Sequence, residues 1–596
     1  MQAKRQPAIR YTITPTDPKA HRFTVRCDIP QPAPNGQRLA LPAWIPGSYL
    51  IRDFARHIVE IHAESAGKAV ALTQLDKHSW HAAPIGAGAT LSVICEIHAW
   101  DLSVRGAHLD ETHGFFNGTS VFLRVLGQED APLWVDIRPP QHATDWRVAT
   151  GLEPARGEPG SARHHGFGLY RADNYDELID HPVEMGRFTL ATFDAGGVPH
   201  EIAITGQHDA DIDRLTADLT RICNWQIGFF GQPAPMQRYT FLVTAVGEGY
   251  GGLEHRASTA LLCSRRDLPF RGMTTMTEGY RSFLGLCSHE YFHTWNVKRI
   301  RPAAFMPYDL ERENYTRLLW AFEGITSYYD DLALLRSGVI TLDDWLTLLG
   351  KTIGNVARTP GRLRQSLADS SFNAWSKFYR PDDNTPNAVV SYYAKGALVA
   401  LALDLTLRRK TAGRVSLDDV MRALWTRHGL TGVGVEEDGI RRLAEELSGH
   451  SLRRFFADFV DGTVELPLAR LLAGHGIRLD WTAARTPSLG VKTTAEGELL
   501  RLTHVYDGGA AQAAGLAAGD LLVAIDGLRV TPTTLEAMLA RRQAGEMLRV
   551  HTFRRDELRE VSVKLDAPDK TDARLSVGKT GEARVWPHKE SGQRRA

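Results

Sequence analysis

Two histidines four residues apart, with a glutamate directly after the first, form the sharpest chemical feature of this chain: His289-Glu-Tyr-Phe-His293. At 3.6 residues per turn, positions i and i+4 share a helix face, so both imidazoles can ligate one zinc ion, while Glu290 points about 100° away, placed to hold the water on that ion. Chance supplies about 0.05 such matches in a chain of this length, and the competing explanation is an accident on an amphipathic helix. Catalytic zinc needs a third protein ligand and keeps a fourth position for water. Glu323 is predicted to be that ligand. It follows His293 by thirty residues, in Trp320-Ala-Phe-Glu-Gly-Ile-Thr-Ser-Tyr-Tyr329, where a carboxylate among apolar and aromatic neighbours is costly unless paired or metal-bound. A salt bridge or simple exposure is its plain alternative. Glu311 and Glu313 lie closer to the histidines, but in the charged stretch Asp309-Leu-Glu-Arg-Glu313, read as a solvated turn. The chemistry expected of this set is hydrolysis, with Glu290 as general base and then proton donor to the leaving amine.

The elements that must position these residues belong to a chain of 596 residues, a length that suggests about four domains. Lysine plus arginine and aspartate plus glutamate each number 70, so the net charge is zero; nucleic acid is an improbable partner for such a surface. The longest apolar stretch, Ala397 to Leu405, is interrupted by Asp404 and too short to span a bilayer, so no membrane segment is expected. The polar, basic opening carries no apolar core of a secretory signal. Five scattered cysteines without C-x-x-C spacing point to reduced thiols and a cytoplasmic location. From Ile9 to about Val183, short alternating runs (Ile9 to Ile13, His21 to Ile29, His57 to His62, Thr90 to His98, Ser120 to Leu126, Trp134 to Ile137) read as an all-β domain. Strand-like runs between Tyr239 and Cys263 flank the glycine-rich Glu248-Gly-Tyr-Gly-Gly252. Helical periodicity then dominates: Gly279 to Arg299, Asn314 to Arg336, Leu342 to Ala357, Val390 to Arg408, Leu417 to His428 and Glu437 to Leu447. Strands followed by helices predict a multidomain α+β chain.

Near the end, four strand-like runs surround one predicted helix at Thr534 to Arg542. This module resembles a PDZ domain through Ser488-Leu-Gly-Val491, similar to that family's carboxylate-binding loop, with Gly509-Ala-Ala-Gln-Ala-Ala-Gly515 and Gly519-Asp-Leu-Leu-Val-Ala-Ile-Asp-Gly527. A C-terminal peptide at Ser488, Leu489, Gly490 and Val491 is the partner it implies. The whole chain from Ile9 to about Ala567 is similar to the glycyl aminopeptidase family, gluzincin zinc metallopeptidases. The segments that carry this are Pro42-Ala-Trp-Ile-Pro-Gly-Ser-Tyr-Leu-Ile-Arg-Asp-Phe-Ala-Arg-His57, Tyr250-Gly-Gly-Leu-Glu-His255, Ser288 to Pro302, Phe322-Glu-Gly-Ile-Thr-Ser-Tyr-Tyr329 and the PDZ-like module. The resemblance implies an N-terminal β domain (1–185), a thermolysin-like zinc catalytic domain (186–340), an α-helical domain (341–480) and a PDZ-like domain (481–567), here followed by a polar tail (568–596).

A more distant similarity to the aminopeptidase N family gives two further segments a role. Gly251-Gly-Leu-Glu-His255 occupies the place of that family's glycine-rich strand, which implies Glu254 as the holder of a substrate's free α-ammonium, with Gly251 and Gly252 letting the peptide backbone come close. His255 stands where asparagine is common and receives no role. Ser391-Tyr-Tyr-Ala-Lys-Gly396 resembles a Tyr-x-Lys-Gly segment that carries a phenol near the zinc, which implies Tyr393 as an oxyanion donor; Tyr392 is one residue away. The expected activity is zinc-dependent removal of the first residue from peptides with a free amino terminus. The family resemblance adds a preference for N-terminal glycine or alanine. The competing expectations are a zinc endopeptidase with PDZ-assisted substrate capture and a non-catalytic PDZ binding protein.

Overall fold

The computed structural model describes residues 8–141, 144–484, 486–569, 572–578 and 586. The chain divides into two compact units: Met1–Asn314 with Ser337–Val339 and Trp425–Gly434, and Tyr315–Arg336 with Ile340–Leu424 and Val435–Ala596.

The first unit begins with an all-β domain. Its first strand, Ile9–Asp17, lies inside an eight-stranded sheet, antiparallel to Arg22–Ile29 and parallel to Leu133–Ile137. Ile9, Tyr11 and Ile13 alternate inward, as a half-buried strand requires. Two four-stranded sheets complete the domain. The run Ser120 to Leu126, expected as a strand, instead holds part of a helical turn, Gly118–Val121, and a two-residue strand, Arg124–Val125. Val121, Phe122 and Leu123 are all buried, so this apolar run is enclosed on every side and does not alternate.

A mixed sheet follows: β1 (Phe188–Ala195), β2 (Val198–Thr205), β3 (Tyr239–Val246), β4 (Tyr250–Glu254) and β5 (Ser258–Ser264). Its spatial order is β1-β2-β3-β5-β4, which leaves the glycine-bearing β4 on the edge. Two helices belong to this layer, α1 (Ile212–Phe230) and α2 (Glu278–Phe292). Thr277 caps α2 by accepting the Tyr280 amide. The Gln226 side chain of α1 donates to the carbonyl and hydroxyl of Ser288, both at 2.9 Å, and fixes the turn that precedes His289.

The second unit is largely helical, with α3 (Ile325–Arg336) and α4 (Ala394–Lys410) at its centre. Helix was expected from Asn314, but the chain is irregular before Leu319, and Trp320–Gly324 then forms one π-type turn leading into α3. Towards the end of the chain, strands Val491–Glu496, Leu499–Val505, Leu521–Ile525, Met547–Arg554 and Glu557–Lys564 form a sheet with short helices Ala510–Ala513 and Leu535–Leu539. This module has its own apolar core, including Leu500, Leu522, Val550 and Val563. Asp572–Val577, within the stretch read as a polar tail, is a strand antiparallel to Ile477–Thr482. Its apolar residues Ala573, Leu575 and Val577 alternate with polar ones, and its backbone packs against Gly350, where a side chain would not fit. Trp586 is buried and donates to Asp404 Oδ2 at 2.9 Å. The tail residues 570–571, 579–585 and 587–596 lie outside the described residues. The fold is thus multidomain α+β, with an N-terminal all-β domain and a helical domain. No helix among the described residues is long and apolar enough to cross a membrane.

Candidate functional site

Helix α2 delivers His289 and His293 together: their ring centroids stand 4.6 Å apart at 84°. The helix expected to run on to Arg299 stops at Phe292, and His293 is its C-cap. There the backbone leaves the helix, so Asn296 can turn back and place its carbonyl 2.6 Å from His293 Nδ1. That bond makes Nδ1 the protonated nitrogen and leaves the lone pair on Nε2. Trp295, Val297 and Ile300 are buried in this irregular segment, and Trp295 follows Tyr291 and Phe292 by four and three residues, a spacing that mimicked helix.

Glu290 is buried and approaches β4. A Cβ at Gly252 would collide with the Glu290 carboxyl, so only glycine lets this edge strand lie so close to the helix. Side chains alternate along a strand, and Glu254, two residues on, therefore shares the Gly252 face. Glu254, Glu290 and His293 bring donor atoms within 4.8 Å of one another. Glu254 is 3% exposed, and its Oε1 has no hydrogen-bond partner among the described residues. A buried carboxylate oxygen left unfilled costs about 1–3 kcal/mol or more, which marks it as a place for a cationic ligand.

Several neighbours of Glu254 were not assigned from sequence. Ile45-Pro-Gly-Ser48 forms a tight turn, closed by the Ser48 amide to the Ile45 carbonyl at 3.0 Å, with Gly47 at φ 98°. A Cβ at Gly47 would stand 2.6 and 2.7 Å from the two Glu254 oxygens. Arg105 donates to the Gly252 carbonyl at 3.1 Å. After Glu254, His255 and Arg256 lead into a buried ionic cluster in which Lys298 Nζ is 2.6 Å from Asp180 Oδ1 and the Arg256 amide donates to Asp180 Oδ2. Burial alone would raise the Asp180 carboxyl, but Lys298 and then Arg256 hold it well below the usual range. His255 points its Nδ1 at Asp180 from 3.4 Å, so it braces the end of β4. The Pro-Gly pair announced a turn at 46–47; nothing local could tie it to residue 254.

In the second unit, Glu323 sits in the π-type turn and is 2% exposed. The turn lies tight against the start of α4: a Cβ at Gly324 would be 2.6 Å from Gly396 Cα and 2.7 Å from the Tyr392 carbonyl. The two glycines, absent of side chains, permit this crossing and bring Tyr393 into the electrostatic reach of Glu323. Burial first, then Glu323, Tyr379 and Tyr392, push the Tyr393 phenol well above its ordinary value, so it remains a donor. The Tyr393 and Tyr379 hydroxyls are 3.3 Å apart. Tyr392 is fully buried. Glu311, read as part of a solvated turn, is ion-paired with Arg124.

Two helix-borne imidazoles, an adjacent buried acid and a glycine-lined edge strand are the parts of a metal-dependent hydrolase of peptides. The family model described as the peptidase M61 N-terminal domain matches residues 10–187, and that described as M61 glycyl aminopeptidase matches residues 282–399. Among solved structures, an aminopeptidase N family protein from Idiomarina loihiensis is 43% identical over 96% of this chain and 98% of that one, with a TM-score of 0.92. An M1 zinc metallopeptidase from Deinococcus radiodurans is remoter, 14% identical over 78% and 96%, with a TM-score of 0.48. No curated protein matches the chain. The chain belongs to the M61 glycyl aminopeptidase family. It is a peptidase of the aminopeptidase type.

Proposed function

We propose that the zinc ion is held by His289, His293 and Glu323, and that the enzyme removes an N-terminal glycine or alanine from peptides. Two imidazoles and one carboxylate are a donor set suited to a single zinc ion. When bound there, zinc supplies a Lewis acid for the scissile carbonyl and lowers the pKa of coordinated water to about 7.

The chain's own groups carry the remaining roles. Glu290 takes the proton of the attacking water on its carboxylate and later delivers it to the departing amine. Glu254 receives the substrate's α-ammonium at its unfilled Oε1, which limits attack to the first peptide bond. Gly251 and Gly252 let the substrate backbone approach the edge strand, where main-chain pairing is available. Tyr393 donates its hydroxyl to the oxyanion; its partial exposure, against the enclosure of Tyr392, favours it for this role. The Ile45–Ser48 turn presses on Glu254 and restricts the space beside the amine, which favours a first residue with little or no side chain.

We place the enzyme in the cytoplasm, on the strength of five buried free cysteines. The division into β (1–185), thermolysin-like (186–340), helical (341–480) and PDZ-like (481–567) domains is part of the same proposal. In the last of these, Leu489 enters the core and Gly490 adopts φ 70°, as a carboxylate-binding loop at Ser488 to Val491 would need.

The observation that carries the aminopeptidase role is the convergence of Glu254, Glu290 and His293 beside the edge strand. The test is mass spectrometry of matched peptides beginning with glycine, alanine or leucine, each with a free or acetylated amino terminus, with and without chelator. Chelator-sensitive release of the first residue from the free glycine and alanine peptides is expected. Equal or internal cleavage of acetylated peptides would refute Glu254 as an amine anchor.

A further inference from the structure

Away from the catalytic residues, the N-terminal β domain gathers a second set of metal-ligand side chains. Strands Ala107–Leu109 and His113–Phe116 form a short antiparallel hairpin. His108 stands near the end of one strand, His113 opens the other, and Asp110 lies in the connection. Donor atoms of His108, Asp110 and His113 all fall within 4.8 Å of one another.

Local chemistry orients two of the three. Asp110 Oδ1 accepts from the Thr112 amide and hydroxyl, both at 2.6 Å, and from the His113 amide at 3.1 Å, so the turn itself fixes the carboxylate. Its other oxygen, Oδ2, faces His108 Nε2 at 3.3 Å. That is long for a charge-assisted hydrogen bond, about 2.7–2.9 Å. It equals the separation of two ligands in a tetrahedral zinc site with bonds of about 2.0–2.2 Å, roughly 3.3–3.6 Å. His113 Nδ1 is 3.0 Å from Glu184 Oε1, and Glu184, itself buried, also accepts from Thr205 at 2.9 Å. A carboxylate holding one imidazole nitrogen and presenting the other is the usual outer support of a metal-ligating histidine.

His108 has no comparable support. It is 4% exposed, and its Nδ1 has no hydrogen-bond partner among the described residues. Trp100 stacks on it at 4.8 Å and the His113 ring lies 5.0 Å away. A buried imidazole enclosed by rings, with one nitrogen unpartnered and the other at a long distance from a carboxylate, is costly as an ordinary hydrogen-bonding residue. Coordination through Nε2 would account for the long distance to Asp110 Oδ2 and leave Nδ1 as the protonated nitrogen. Asp110 is partly exposed, which leaves an entry path and a position for water.

We propose that His108, Asp110 and His113 bind a second divalent ion, with Glu184 holding His113 in place. Two imidazoles with a single carboxylate select zinc or a similar borderline ion over calcium or magnesium, which take oxygen ligands. The hairpin follows the loop that carries Arg105 to the Gly252 carbonyl, so the ion would brace this loop against β4.

The test is metal content. Full-length protein stripped by chelator is loaded with zinc chloride, passed through gel filtration, and assayed for zinc per chain by atomic emission. The proposal expects two ions in the wild type, one in His289→Ala/His293→Ala and one in His108→Gln/His113→Gln. One ion in the wild type and none in His289→Ala/His293→Ala would overturn it. Two ions retained in His108→Gln/His113→Gln would overturn it equally, by placing the second ion elsewhere. Should that variant fail to fold, the contrast between wild type and His289→Ala/His293→Ala decides alone.

Discussion

Replacing Gly47 by alanine tests whether a turn of the N-terminal β domain sets the position of Glu254, the proposed amine anchor. The new methyl would lie 2.6 and 2.7 Å from the Glu254 oxygens, against an ordinary van der Waals contact from 3.4 Å. Glu254 is buried, so relief requires its carboxylate to retreat by about 0.7–0.8 Å, and misplacement of a substrate-positioning group by about 1 Å costs about 100-fold in rate. A loss of roughly 30-fold in kcat/KM on a free-amine glycyl peptide follows, about 2 kcal/mol. The positive φ adds a folding cost of about 1–2 kcal/mol, which a second variant can separate. Gly88 also has positive φ, 79°, but open space around its Cβ direction. Gly88→Ala should lower Tm by a similar few degrees and leave kcat/KM unchanged. The assay is initial-rate kinetics on the free and acetylated forms of one peptide, with Tm measured in parallel. A Gly47→Ala enzyme that folds and retains kcat/KM within threefold of wild type on the free peptide would refute the coupling between this turn and Glu254.

Other perturbations report on separate parts of the molecule. Glu290→Gln should retain bound zinc, measured by emission spectrometry, while kcat falls by about 10²–10⁴, the range for a lost general base. Tyr393→Phe should reduce kcat by about 2.7–4 kcal/mol in barrier, the value of one oxyanion donor, whereas Tyr392→Phe should leave it within a few-fold; equal effects in steady-state kinetics would contradict the assignment. In the second unit, Arg336 Nη1 donates to both oxygens of Asp418 at 3.0 Å, and both side chains are 7% exposed. Arg336→Ala leaves the buried Asp418 carboxylate to the Tyr329 hydroxyl and the more distant Arg408, and should destabilise by up to about 3–5 kcal/mol in thermal or denaturant unfolding, with the added change Asp418→Asn recovering part of the loss. Asp180 has a folded pKa well below its unfolded value near 3.8, so its contribution to stability is present above that value and lost as pH falls below it. The Tm difference between wild type and Asp180→Asn should therefore be largest near neutral pH and shrink below about pH 4; a difference independent of pH would show that Asp180 is not held ionised by Lys298 and Arg256.

The parts of the proposed site that were legible in the sequence are those whose chemistry is local. His289 and His293 declare themselves because a helix repeats every 3.6 residues, and Glu323 because a carboxylate among aromatic residues needs a partner. The limits are equally physical. Trp295 keeps helical spacing from Tyr291 and Phe292 yet packs into an irregular turn, since burial rewards apolar residues in any compact backbone path. Apolar Val121 to Leu123 and the alternating Asp572–Val577 were misjudged for the same reason: periodicity reports how many faces are covered, and only the tertiary fold determines by what. Glycine carried the most information that could not be decoded. Gly252 against Glu290, Gly324 against Gly396 and Gly47 against Glu254 each mark a place where two backbones or a backbone and an acid come closer than a Cβ allows. Each glycine was visible in the sequence, but its partner lay far along the chain, and no local pattern connects them. Candidate site residues can therefore be named from spacing, while the distances between them are set by small residues whose function only the folded chain reveals. This is why the Gly47 variant, which touches no reacting group, is the sharper test of the anchor than removal of Glu254 itself: it leaves the charge in place and alters only its position.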